Sequence, residues 1–348
     1  MPRTAVSTVP RRKTTEPTIW VVGYYPGYKQ AGTPLSTINW QAYTHIYHFS
    51  VGVNPAGAIN QTMNSITQQF MTDAVLAAHN AGKKISICVG GGGDSETNWA
   101  SAIGATYRST FVTNLVNLMT NNGYDGIDLD FEPATANDLA GVYASDFTAF
   151  VQALRAAMPA GKELSIANPG SSTLATYLAT LAPYFDKINL MTYDMNYGLG
   201  LAWHHTSLYK GSHTDAGNAL PSANTKVDQL IAAGIAKSKI GMGCGFYSQD
   251  LTGPTTLYDT TAISARTQTA HKDLTTTSHK RDPETGSPYI EGASNVIFYD
   301  DEISIALKMQ YLRTKLIGGI IVFEITHENS STHPLSNVIR DIGRKGYL

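Results

Sequence analysis

Cysteine is nearly missing from this chain: only Cys88 and Cys244 occur in 348 residues, with no CxxC spacing. That excludes a disulfide-stapled scaffold, a zinc ribbon and a dithiol redox motif. Charge is also scarce, at 15% of residues with a formal net charge of −2, against about 25% charged residues in an average soluble protein. No basic excess is available to hold nucleic acid, so no such partner is expected. No apolar run approaches the roughly 18 residues of a membrane span, and Arg11, Arg12 and Lys13 are not followed by the apolar core of a secretion signal. Residues 1–18 hold little to bury and are expected to form a disordered tail. The ten histidines form no HExxH, and His204 and His205 read as a solvent-exposed loop pair rather than metal ligands. GxSxG is absent, and the glycine run from 90 to 93 lacks the lysine and hydroxyl of a phosphate loop, so it reads as an ordinary loop.

What is present is a rhythm. Short β-branched or aromatic runs at 19–25, 44–52, 84–91, 125–132, 164–168, 187–194, 240–247 and 318–325 alternate with helical patterns at 67–81, 107–121, 138–158, 174–182, 226–236 and 302–316. Asp300 and Asp301 are cap candidates for the last helix, and Gly318 and Gly319 follow it. Eight strands alternating with helices predict an α/β fold, a (β/α)8 TIM barrel, because closure leaves no sheet edge and the length fits. The Thr-, Ser- and Gly-rich stretch 248–295 is too long for a simple loop and predicts a small insertion between strands seven and eight of the 19–348 barrel. Strands three and seven lie on opposite sides of such a barrel, so Cys88 and Cys244 are expected to be free thiols.

The segment from Tyr124 to Pro133 reads YDGIDLDFEP. Strand alternation puts Asp128, Asp130 and Glu132 on one face, about 6.6 Å apart per two residues, with Ile127, Leu129 and Phe131 toward the helices. Asp125 has the opposite parity and is expected to make a structural hydrogen bond. Pro133 ends the pairing and leaves Glu132 at the C-terminal mouth, where barrel enzymes carry their chemistry. Three readings suit such a row: a solvated strand edge, a Mg²⁺ or Ca²⁺ site, or acid–base work by carboxylates whose pKa values are split by mutual repulsion. Alternation with Ile, Leu and Phe argues against the first, and the lack of adjacent His or Asn ligands against the second. The third is preferred, with no metal.

The pattern Asp125-x-x-Asp128-x-Asp130-x-Glu132 resembles the DxxDxDxE signature of the family 18 glycoside hydrolases, the chitinases and their relatives. Met191-Thr192-Tyr193-Asp194 resembles the family's MxYD on strand six, Gly23-Tyr24-Tyr25 its first-strand GY, and Gly318-Gly319 before Ile320 its strand-eight GGxMxW. The likeness runs from about Trp20 to the C-terminus. Two positions depart: Cys88 stands where the third-strand SxGG has a hydroxyl, and Phe323 where strand eight has Trp. A thiol donates poorly, which calls support of Asp128 from position 88 into question, and Phe323 offers less stacking area than Trp.

The resemblance implies a cofactor-free chitinase acting on chitin or chitooligosaccharides by a retaining mechanism in which the substrate's own 2-acetamido oxygen is the nucleophile. Glu132 would be the general acid and then base, Asp130 would hold the acetamido N–H and stabilise the oxazolinium ion, and Asp128 would share a proton with Asp130. Tyr193 would hold the acetamido oxygen, Met191 line its pocket, Asp194 touch a sugar hydroxyl, Tyr24 support Asp128, and Phe323 form the floor; Tyr247 is a further substrate-binding candidate. Trp99, Trp203 and Tyr28 fall in expected top loops and could stack on sugars. A secreted monomer is implied, without an intact signal peptide in residues 1–18. An endo-β-N-acetylglucosaminidase acting on N-glycans uses a similar motif, and sugar-binding lectins of the family usually lack the glutamate that is present here as Glu132.

Overall fold

The computed structural model describes residues 19–275 and 278–345, so the expected tail at 1–18 lies outside the described residues. Eight parallel strands form the barrel: β1 (Trp20–Pro26), β2 (His45–Val53), β3 (Lys84–Gly90), β4 (Gly126–Asp130), β5 (Glu163–Asn168), β6 (Lys187–Leu190), β7 (Ile240–Gly245) and β8 (Gly319–Phe323). Each pairs with its successor, and β1 pairs with both β2 and β8, so the sheet closes. This is the expected (β/α)8 barrel. Helices α1 (Gln68–Asn80), α2 (Glu96–Ile103), α3 (Arg108–Asn122), α4 (Ala144–Ala157), α5 (Ser172–Leu181), α6 (Ala223–Ala232), α7 (Glu302–Lys315) and α8 (Pro334–Lys345) accompany it. The sequence pattern did not reveal α2 or α8. Outward strand residues such as Ile127, Leu129, Ile166 and Ile188 are buried against the helix layer with Phe111, Phe147, Phe150 and Leu154, which is why their alternation reads as barrel strands.

Local chemistry sets the element ends. Thr67, Ser95 and Ser171 cap α1, α2 and α5 with their side-chain oxygens. Of the two cap candidates before α7, Asp301 forms a capping box with Ser304, whereas Asp300 is buried and pairs with Lys308. The stop of α7 also differs from expectation: Leu316, at φ 60°, takes the left-handed position. Gly318 and Gly319 serve the barrel instead, because a Cβ on Gly319 would stand 2.1 Å from the Trp20 carbonyl and 2.3 Å from its ring.

Between β7 and β8 the chain builds the expected insertion. Its antiparallel sheet runs in the order Ala265–Ala270, Tyr247–Thr252, Asn295–Phe298, Pro288–Glu291, His279–Arg281. Leu251, Val296 and Phe298 with Ala202 form its own small core. At the N-terminal base of the barrel, Glu163 pairs with His45, Lys84 and Lys187. Burial pulls the Glu163 carboxyl upward, but His45 and Lys187 override it and hold the group well below the usual carboxylate range.

Candidate active site

The row of acids sits where strand parity puts it, but β4 is shorter than the sequence suggests. Pairing ends at Asp130 rather than at Pro133, because Gly90 and Gly91 turn away with φ near +101° and +103° and the Gly91 N–H closes on the Asp130 carbonyl at 2.7 Å. A side chain at 90 would meet that carbonyl at 2.2 Å, so glycine is required there. Glu132 therefore projects from the chain just past the strand. Likewise β6 ends at Leu190, and Met191, Tyr193 and Asp194 follow on the rim. Phe131 faces outward, stacked on Trp99 with ring centroids 4.9 Å apart. Asp125, of opposite parity, accepts from the Ile85 N–H at 2.9 Å, the structural bond expected of it.

Asp128 is fully buried inside the barrel. Tyr24 Oη donates to its Oδ2 at 2.8 Å, Ser165 Oγ to its Oδ1 at 2.5 Å, and Asn189 Nδ2 reaches Oδ1 at 3.4 Å. Burial raises its pKa to about 6, opposed by donors from Ser165, Tyr24, Cys88 and Asn189. The thiol at 88 thus faces Asp128, and two hydroxyls from other strands accompany it. Asp130 is also buried, and its Oδ1 has no hydrogen-bond partner. Desolvation, then the charges of Glu132 and Asp128, hold its carboxyl well above the usual range. Glu132 is open to solvent from the cleft and enclosed by protein elsewhere. Enclosure and the nearby Asp194 raise its pKa, while the Gly92 N–H opposes them. Asp194 itself is pulled up by enclosure, but the neighbouring His205 ring and the Gln249 amide, whose Nε2 donates to its Oδ1, hold it low.

These groups open into a cleft of about 510 Å³ lined by Tyr24, Tyr28, Asp130, Glu132, Met191, Tyr193, Asp194, Tyr247 and Phe323. Of the residues to which the resemblance gives a role at the site, all line it except Asp128, which lies one layer deeper. Phe323 packs against Tyr24 and Tyr193 at 5.8 Å and edge-on to Phe49 at 5.3 Å. Tyr247, the first residue of the insertion sheet, meets Tyr193 edge-on at 6.3 Å. Phe49, Asn64, Pro169 and Gln268 also line the cleft, and sequence reasoning did not find them. Ser165 and Asn189 were missed too, although each is a polar residue on the inward parity of a strand, a readable signal.

Three sequence expectations fail here. Trp99 and Trp203 are not sugar platforms: both are fully buried, Trp99 donating to Asp94 and Trp203 to the Pro221 carbonyl. Only Tyr28 of that set, 46% exposed, stands free at the cleft. His204 and His205 are not a solvent-exposed pair: at 1% and 0% exposure they are enclosed, His204 against Asp282 of the insertion and His205 against Asp194. Cys88 and Cys244 are both buried free thiols, as expected. Among the described residues, no group of three His, Cys, Asp or Glu side chains is arranged to hold a metal ion, and no helix is long and apolar enough to cross a membrane.

The family model for glycosyl hydrolases family 18 matches residues 20–328. Chitinase A1 of Niallia circulans is 28% identical over 319 residues, covering 80% of this chain and 44% of that protein. The endochitinase of Manduca sexta is 23% identical over 344 residues, covering 88% of this chain and 62% of that protein. This chain thus spans about half the length of these curated relatives. The crystal structure of the Ostrinia furnacalis Group IV chitinase in complex with allosamidin superposes with a TM-score of 0.83 at 20% identity, covering 95% of this chain and all of that one. With the family model matching from β1 past β8, the chain belongs to glycosyl hydrolases family 18.

Proposed function

We propose that this protein is a chitinase that hydrolyses β-1,4-linked N-acetylglucosamine polymers with retention, using the substrate's 2-acetamido group as nucleophile. The observation that carries this reading is the graded row Asp128, Asp130, Glu132: one carboxyl deep and hydrogen-bonded, one buried without a partner at Oδ1, one open to the cleft. A raised Glu132 is poised to give its proton to the leaving glycosidic oxygen as the C1–O bond breaks. Asp130, whose carboxyl burial and its two acidic neighbours bias toward the protonated form, is a poor carboxylate nucleophile, which favours attack on C1 by the acetamido carbonyl oxygen. The Tyr193 hydroxyl orients that oxygen while Met191 and Phe323 pack against the sugar. As the oxazolinium ion forms, Asp130 takes up the acetamido N–H, its own proton passing toward Asp128. Water then attacks C1, Glu132 accepts the water proton, and the C1–O bond to the acetamido oxygen opens. Asp194 and Tyr247 bind hydroxyls at the rim.

The test is hydrolysis of labelled chitin oligomers by the protein and by Glu132→Gln. The amide cannot supply the proton, so a folded variant should lose roughly 10²–10⁴-fold in kcat while still binding oligomer. Near-full turnover by Glu132→Gln would remove the role given to this residue. Oligomer binding without cleavage by the unmodified protein would make it a sugar-binding protein instead.

A further inference from the structure

The register of the barrel puts Cys88 of β3, Asp128 of β4 and Ser165 of β5 side by side at one height. Asp128 thus has a lateral neighbour on each flank. One is a buried thiol, a weak donor. The other is a hydroxyl at 2.5 Å, itself only 1% exposed.

We infer that Ser165 is the positioning residue for Asp128, supplying from β5 the strong lateral hydroxyl that position 88 on β3 does not provide. Three observations carry this. Ser165 Oγ has one proton and spends it on Asp128 Oδ1. Tyr24 occupies the other oxygen, Oδ2, so the two hydroxyls fix both ends of the carboxyl and set its plane. A hydroxyl in the interior of a strand otherwise filled by Leu164, Ile166 and Ala167 would be costly to bury without a partner, and Asp128 Oδ1 accepts its hydrogen bond.

The consequence is a division of labour within the acid pair. A carboxylate that accepts two hydroxyl hydrogen bonds is the easier of two to ionise, and Asp130 has no hydrogen-bond partner on Oδ1. The shared proton of the free protein therefore rests on Asp130, with Asp128 carrying the charge. The other groups facing Asp128 are Tyr24 of β1, Tyr47 of β2, Cys88 of β3, Asp130 and Glu132 above it, Asn189 of β6 and Tyr193 beyond it. None of them is a cation. Hydrogen-bond donors, the two hydroxyls of Ser165 and Tyr24 first among them, are thus what stabilises the Asp128 charge.

Removing Ser165 Oγ should raise the first ionisation of the pair and leave the second unmoved, because Asp128 is already charged on both sides of the second step. The experiment compares the parent, Ser165→Ala and the double variant Ser165→Ala/Cys88→Ser. The readouts are kcat/KM against pH and, independently of turnover, the carboxyl-carbon NMR titration of Asp128, assigned through Asp128→Asn. The kinetic arm rests on the chitinase reading; the NMR arm does not. For Ser165→Ala, both the acid limb and the Asp128 titration should move up by roughly 0.5–1 pH unit, with the alkaline limb fixed. In the double variant, the hydroxyl restored at position 88 should bring both back. An Asp128 titration that does not move in folded Ser165→Ala, or that Cys88→Ser fails to return, overturns the inference. An inactive parent whose Asp128 titration shifts as described would overturn the chitinase reading and leave this one standing.

Discussion

Tyr24 and Asp128, 104 residues apart in sequence, meet across the barrel interior in a 2.8 Å hydrogen bond that ties β1 to β4, the strand that carries the acid row. The bond stabilises the charged form of a carboxyl whose folded pKa, about 6, lies above the roughly 3.9 of an unfolded aspartate. A raised carboxyl favours the folded state fully below pH 4 and loses that contribution as pH rises through 6. Tyr24→Phe removes a donor and lifts the folded value further. Its stability deficit should therefore be small at pH 4 and grow to about 1–3 kcal/mol by pH 8, where the buried charge is left short of a partner. Urea unfolding at the two pH values measures this; an equal deficit at both would mean that Tyr24 packs against Asp128 without serving its charge.

Asp194 acts on Glu132 through charge. Its anion helps hold the Glu132 proton, and His205 with Gln249 keeps it anionic. Asp194→Asn should lower the Glu132 pKa, so that activity on the alkaline side is lost at a lower pH. A shift of roughly 0.5–1 unit in the alkaline limb of kcat/KM is expected for a neighbouring charge in a partly enclosed cleft. The acid limb, set by Asp128 and Asp130, should stay in place. An upward or absent alkaline shift would contradict the coupling.

The barrel seam depends on Trp20. Because a methyl group at position 319 would overlap both the carbonyl and the indole of Trp20, Gly319→Ala should destabilise the protein by about 1–3 kcal/mol or more, as overpacking of a tight interior does. Denaturant midpoints provide the comparison. Gly82→Ala is the control: its Cβ would meet nothing within 4 Å, and only its φ of +68° opposes the change, so its cost should be the smaller.

The barrel and the acid row were legible in the sequence for a physical reason: strand parity is local. Ile127, Leu129 and Phe131 alternating with Asp128, Asp130 and Glu132 state which face is core and which is interior without knowledge of any neighbour. The same rule applied to Leu164-Ser165-Ile166 would have marked Ser165 as inward-facing, but not its partner, since register between strands is set by the whole barrel. The failures are of one kind. His204 is enclosed because Asp282, 78 residues later, folds over it from the insertion, and Trp99 is covered by Phe111, Phe131 and Phe150. Burial of a loop residue depends on what arrives from elsewhere. Pro133 looked like the end of β4, yet the strand stops earlier because two glycines on β3's exit remove its partner.

In the proposed reaction the acetamido oxygen of the substrate, and not a carboxylate of the protein, attacks the anomeric carbon. Rapid proton NMR on N-acetylglucosamine oligomers, run beside fully deacetylated chitosan and with and without EDTA, tests it in one measurement. Substrate assistance requires initial release of the β-anomer, unchanged by chelation, and no cleavage of chitosan. Initial release of the α-anomer, cleavage of the deacetylated polymer, or loss of activity with EDTA would contradict it.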